Sequence, residues 1–263
     1  MLAVTTRNKL RSPRFCLPML WARRQIRRQL EQTPGIVRFM TGVAGLTEFY
    51  SLTIWQSRAD MFKFSASGSH RHMMWLFAKW SESFWSMRWQ LTTEEIGNWD
   101  QLELSQGITE APTGASDDPP DWLAHSQLAE VLAPYFDTTG RLDRRTFDPS
   151  HCDGAGVLAR VVVRSPVEMY RLRQALHAWR VKSGLLQTTV AFDIGACLVI
   201  TLWRTEALSE ARMVMPYLKH HFPGSWAMRC APGDYEIGHW DGLRLRQLGR
   251  SRTVTGRPKK IDL

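Results

Sequence analysis

Of the eight histidines in the sequence, His70 is the one whose neighbours could give an imidazole chemical work. At about 100° per residue it falls on one helical stripe with Met73, Phe77, Trp80 and Phe84. A neutral imidazole among sulfur and aromatic side chains can bind a haem iron axially, or take a proton as a base in an apolar pocket. It can equally be a satisfied core group, bonded to a backbone carbonyl or capping a break in the helix. His72 points nearly the opposite way, so His70-x-His72 is a poor metal pair, because ligands on one helix face stand three or four residues apart. His220 and His221 fall off the stripe of Leu208, Ala211, Met215 and Leu218 and are expected to be solvated.

Other constellations are weaker. His151-Cys152-Asp153 has no further ligands nearby in sequence, and the four cysteines form no C-x-x-C pair, so a zinc site is not expected. No G-x-S-x-G, phosphate-loop or dinucleotide fingerprint is present. Glu94-Glu95 and Asp117-Asp118 read as surface charge. Trp80, Trp85 and Trp89 suggest a stacking platform, with core packing as the plainer reading.

The elements that must position these residues occur twice. Residues 95–104 read EIGNWDQLEL and residues 236–245 read EIGHWDGLRL, agreeing at seven of ten positions. Trp85-Ser86-Met87-Arg88 aligns with Trp226-Ala227-Met228-Arg229, Leu52–Trp55 with Ile200–Trp203, and Arg11-Ser12-Pro13 with Arg164-Ser165-Pro166. Four blocks in the same order make the chain a tandem duplication.

Each copy starts with an extended segment, 2–10 or 157–164. Ser12 or Ser165 then caps a helix whose first turn tolerates proline. Helical spacing follows at Met19, Ala22, Ile26 and Leu30, and at Met169, Leu172, Leu176 and Trp179. Strands are expected over 36–40 and 49–55, and over 188–192 and 197–203, joined by glycine-bearing turns. A second helix and a last strand complete each unit, and Gly68 and Pro216 place a kink at the same point of that helix in both copies. His70 then corresponds to Leu218, so one copy has an imidazole where the other has a plain core residue. The expected fold class is α+β: two ferredoxin-like βαββαβ units that cover each other's sheets. The expected boundaries are 1–104 for the first copy, 105–156 for an acidic linker with a short helix near 122–136, 157–248 for the second copy and 249–263 for a basic tail.

Composition narrows the partners. The 44% hydrophobic content supports a sizeable core, and twelve tryptophans with eleven methionines suggest large aromatic walls. The net charge of +9 gathers at the two ends, with no nucleic-acid motif beside it, so nucleic acid is not an expected partner. No apolar run reaches the roughly 18 residues of a membrane span, and arginines stand where a secretion signal needs its apolar stretch; a cytoplasmic protein, monomer or homodimer, is expected. The basic N-terminal helix, with Phe15, Leu17, Trp21, Arg23, Arg24, Arg27 and Arg28, could touch an anionic membrane surface.

The run Phe49-Tyr50-Ser51-Leu52-Thr53-Ile54-Trp55-Gln56-Ser57, then Met61 and Phe64, then Gly68-Ser69-His70-Arg71, resembles the dimeric α+β barrel superfamily. Within it the likeness is to relatives of antibiotic-biosynthesis monooxygenases and of spheroidene monooxygenase. It covers residues 2–104 well and the second copy weakly. The resemblance implies two sheets paired into a barrel, here inside one chain, and an oxygenase-like activity on a hydrophobic small molecule. It puts His70 at the family's Gly-x-His position, as catalytic base or haem ligand. Met73, Phe77, Trp80 and Trp89 are then the expected substrate-binding wall. Against this stands a non-catalytic protein that merely binds an apolar ligand.

Overall fold

In the computed structural model, the structure describes residues 1–108, 152, 154–182 and 184–245. The helix expected near 122–136 and the basic tail 249–263 lie outside the described residues, as does most of the 105–156 linker. Copy 1 runs β1 (Leu2–Leu10), α1 (Cys16–Glu31), β2 (Ile36–Ala44), β3 (Glu48–Trp55), α2 (Arg58–Ser65), α3 (Gly68–Trp80) and β4 (Ser81–Ile96). Copy 2 runs β5 (Ala155–Val162), α4 (Pro166–Arg180), β6 (Leu185–Asp193), β7 (Ala196–Trp203), α5 (Leu208–His221) and β8 (Trp226–Gly238). The two serines do start the first helices. Ser165 Oγ accepts the Glu168 N–H at 3.2 Å, and Ser12 Oγ caps a short 3-10 turn at 13–15 ahead of α1.

The eight strands close into one barrel in the order β1-β3-β2-β6-β7-β5-β8-β4. Each copy contributes four neighbouring strands in the ferredoxin-like order, related by a pseudo-twofold axis, and the helices pack outside. The fold is thus an α+β barrel made within one chain, where two identical chains would otherwise be needed.

The tryptophans fill the interior. Trp85, Trp89, Trp99, Trp226 and Trp240 share one buried cluster with Leu52, Ile54, Met87 and Met228. The axis explains why the EIGxWDxLxL motif occurs twice. Glu236 accepts from Trp85 Nε1 at 2.8 Å and from the Leu245 N–H at 3.0 Å. Its mate Glu95 accepts from Trp226 Nε1 and from the Leu104 N–H at 2.9 Å. Gly97 and Gly238 have φ of +68° and +71°, and a Cβ on either would lie 2.0 Å from a carbonyl oxygen of the other copy, so only glycine fits. Trp99 then stacks on Trp226, and Trp240 on Trp85, with centroids 5.0 and 5.1 Å apart.

Two expectations need correction. Glu94-Glu95 is not idle surface charge: Glu95 serves the buried indole, and Glu94 bridges Arg212 and Arg229 at 2.9 and 2.8 Å. Nor is the kink shared. Copy 1 breaks between α2 and α3 at a left-handed Gly68 (φ +54°), whereas α5 continues through Pro216. Losing one N–H from an outer helix is tolerable when Val214, Met215 and Leu218 hold it to the sheet. Moreover, 30 residues separate Trp55 from Trp85 but 23 separate Trp203 from Trp226, so copy 1 carries seven more, about two helical turns.

Candidate functional site

His70 lies in the first turn of α3, just past the break. Its backbone N–H donates to Gln29 Oε1 at 2.8 Å, while Gln29 Nε2 donates to the Ser67 carbonyl at 3.1 Å, so α1 clamps the break in place. The ring packs on Phe64, centroid to centroid 4.7 Å, and Nδ1 stands 3.2 Å from the Ser65 carbonyl oxygen. A carbonyl can only accept, so Nδ1 carries the hydrogen and Nε2 keeps its lone pair. Part of the residue reaches the surface, yet its ring is enclosed enough for burial to push its pKa down, against the opposing pull of the Ser65 carbonyl. The group is therefore a neutral imidazole with one nitrogen committed and the other able to bind or accept. Counted forward from Trp203 the copy 2 counterpart is Leu218; counted back from Trp226 it is Ala211. Both are fully buried, so either way copy 2 has only packing there.

The expected wall divides. Met73 and Phe77 share a cluster with Leu10, Met19, Ala22 and Phe49, between helices and sheet. Trp80 packs on the same cluster and stacks on Phe15 at 6.3 Å. Phe64, which carries the His70 ring, belongs to the adjoining group of Leu30, Trp55 and Met61. Trp89 lies across the sheet, inside the barrel, where Nε1 donates to Thr5 Oγ1 at 2.7 Å. The structure brings Met73, Phe77 and Trp80 together, sets the His70 ring on Phe64 of the adjoining group, and separates Trp89 from all of them. Strand parity is the cause: β4 sends Trp85, Met87 and Trp89 inward alike.

A second polar centre went unread in the sequence. Arg7 is fully buried in β1, on the inward side with Ala3 and Thr5. Its Nε donates to Tyr50 Oη at 3.1 Å, Nη1 to Ser83 Oγ at 3.2 Å, and Nη2 to Glu48 Oε1 and Asp241 Oδ1, both at 2.9 Å. Tyr50 in turn donates to Glu48 Oε2 at 2.8 Å. Burial alone would lower the guanidinium pKa, but Tyr50, Glu48 and Asp241 reverse that, so the charge is held. Burial, above all, pushes the Tyr50 phenol well up, which keeps it protonated as a donor. The signal was a charged residue at an inward position of an alternating strand, obscured by the many arginines around it.

This network floors a cleft of about 490 Å³ between the copies. Its walls are α4, with Arg173, His177 and Arg180, and the first half of β6, with Gln187, Thr188 and Thr189. The cleft exists because β2 and β6 join through one pair among the described residues, Val43 with Phe192, so β6 runs free ahead of it. Among the described residues no group of histidine, cysteine and carboxylate side chains could hold a metal ion, and no helix is long and apolar enough to cross a membrane.

No protein-family model matches the chain, and no curated protein matches it. The chain is similar in structure to an antibiotic biosynthesis monooxygenase, with 16% identity over 34% of this chain and 95% of that one, at a TM-score of 0.32. HapK from Hahella chejuensis gives 14% identity, 33% and 90% coverage, and a TM-score of 0.29. An anthrone oxidase-like protein spans both copies, with 11% identity over 90% of this chain and 92% of its own, at a TM-score of 0.32. Likeness at this level concerns the fold, which rests here on the strand order itself.

Proposed function

We propose that the chain is an oxygenase-like protein acting on a hydrophobic small molecule, with His70 as the reacting or ligating group of a single site in copy 1. The observation that supports this most is the Nδ1 to Ser65 carbonyl contact, since it fixes the tautomer and leaves Nε2 as base or ligand. Met73 and Phe77 follow three and seven residues along the same helix face, and with Trp80 they form the apolar side that a hydrophobic substrate would meet. The residues fit a haem in one respect, the free Nε2: His70 would hold the iron, and the haem would supply oxygen activation. Without haem, His70 Nε2 takes a proton from an acidic carbon of the substrate, and the low pKa of the imidazole restricts it to substrates that ionise readily. The test is a haemin titration of the full chain followed by its visible spectrum, beside His70→Ala and, as control, the exposed His72→Ala. A saturable Soret shift lost only in His70→Ala supports ligation. No shift in any of the three leaves the base, which is judged by substrate turnover in wild type and not in His70→Ala; failure of both sinks the reading.

A second reading rests on α1. Leu17 and Trp21 are 78% and 52% exposed, and Arg24 and Arg28 stand exposed on the same helix. Such a face suits contact with an anionic bilayer. Arg23 and Arg27, by contrast, are engaged with Asp193 at 2.7 and 3.5 Å. Co-flotation with phosphatidylserine vesicles that is lost in Trp21→Ser supports it, and equal recovery with neutral vesicles sinks it.

A further inference from the structure

The pseudo-twofold axis relates the open cleft to a place that the chain fills by itself. There Arg23 of α1 donates from Nε to Thr41 Oγ1 and from Nη2 to the Thr41 carbonyl and to Asp193 Oδ1, each at 2.7 Å. Beneath it Arg38 donates to the carbonyls of Trp99 and Asp100, at 3.0 and 3.2 Å. The pair Val43 with Phe192 sits on the axis and fixes the correspondence of the strands: Thr41 answers to Val190, Arg38 to Gln187 and Asp193 to Ala44. Counting from Ser12 and Ser165, Arg23 answers to Leu176 and Arg27 to Arg180. Val190, Gln187, Ala44 and Leu176 all line the cleft. Two arginines and an aspartate on one side have become shorter side chains on the other, and the space is what they left.

The cations of α4 at that space have no anion of their own, because the Glu48 and Asp241 carboxylates at the floor are bound to Arg7. On the filled side Arg27 lies 3.5 Å from the Asp193 carboxylate. Its counterpart Arg180 meets Ala44's position instead, and among the described residues neither Arg180 nor Arg173 makes an ion pair; Arg173 rests over the Phe192 ring at 5.7 Å. Thr188 is 8% exposed, and its Oγ1 is buried without a hydrogen-bond partner. Such an orphan needs an explanation, and a bound acceptor supplies one.

We propose that this cleft binds a small organic anion, whose carboxylate or phosphate head lies by Arg180 and Arg173 as the Asp193 carboxylate lies by Arg27. Thr188 Oγ1 donates to that head. The floor selects the other end: Glu48 and Asp241 share the one guanidinium of Arg7, an excess of one carboxylate that favours a hydroxyl or amine donor. A volume near 490 Å³ suits a molecule of this size. The site is independent of His70.

Isothermal titration of the full chain with 4-hydroxybenzoate, inorganic phosphate and 4-hydroxybenzyl alcohol tests this. The expected result is saturable binding of the acid or of phosphate, about tenfold weaker in Arg180→Gln and in Arg173→Gln. Both arginines are exposed, so these variants keep the fold. Binding is lost in the double variant Leu176→Arg with Ala44→Asp, which rebuilds the filled side, and is unchanged in His70→Ala. Preference for the benzoate assigns carboxylic acids, and preference for phosphate assigns phosphate monoesters. The proposal is overturned if the neutral alcohol binds as tightly as the acid, if the two glutamine variants bind like wild type, or if neither anion gives a saturable signal at roughly 10 mM.

Discussion

Trp85 and Glu236, 151 residues apart in the chain, meet inside the barrel through a 2.8 Å hydrogen bond, and the axis repeats the bond as Trp226 with Glu95. Each glutamate also takes the backbone N–H nine residues ahead of it, Leu245 or Leu104. One carboxylate thereby ties the partner copy's indole to the turn that follows its own strand.

Glu236→Ala leaves two buried donors without an acceptor and should cost roughly 2–5 kcal/mol. Glu95→Ala should cost a similar amount, because the Ser105 N–H also depends on it. Urea unfolding of the full chain checks both. A loss below about 1 kcal/mol in either would mean that the bonds are replaced by water.

Gly97→Ala and Gly238→Ala meet both a left-handed backbone and a carbonyl 2.0 Å away. Each should destabilise by roughly 3 kcal/mol or more. Gly195→Ala, with φ +74° and nothing within 4 Å of its Cβ, should cost only about 1 kcal/mol. Thermal melts of the three variants separate steric from conformational cost.

The repeated EIGxWDxLxL blocks carried the duplication, and through it the barrel, because the axis requires each motif twice. The site was less legible. His70 stood out because only one copy has an imidazole there. Arg7 looked like one more cation in a basic terminus; its burial comes from strand parity together with Glu48 and Tyr50 of β3 and Asp241 of the turn after β8, which converge from two distant segments. Trp89 stands in the expected substrate wall beside Met73, Phe77 and Trp80, although its strand turns it to the other face of the sheet.

Below neutral pH Glu94 and His70 should both act. Arg212 and Arg229 hold the Glu94 carboxyl down to about 2 from 4.5, so its contribution is complete above about 4.5 and is lost as pH falls toward 2. Because Arg212 is open to water the effect is small, and Glu94→Gln should flatten that part of the acid-unfolding curve. Burial lowers the His70 pKa from 6.5, so the unfolded chain binds a proton there that the folded chain refuses. Stability should therefore fall as pH drops below about 6.5 in wild type, and fall less in His70→Leu, as chemical unfolding at several pH values would record.

Residues 1–108 alone would expose Leu52, Met87, Trp85 and Trp89, which copy 2 covers in the full chain. That fragment should self-associate, pairing its sheet with a second copy. Light scattering on the eluting fragment reads its mass, and a stable folded monomer would contradict the burial described here.

The ring of strands is unevenly laced. Most neighbouring strands are joined along many residues, but among the described residues β2 and β6 pair only through Val43 and Phe192. Beside that pair, Gly42 comes so close to Ala191 that an added Cβ would lie 2.7 Å from it. Mechanically this is a bracelet with one clasp. Under load, or in the rare moments when the ring opens, it should part at that joint. Amide protons of β2 and β6 should then exchange with solvent before those of β1, β4 and β8. A barrel whose two halves belong to one chain can open there without the halves drifting apart, and close again on the same clasp.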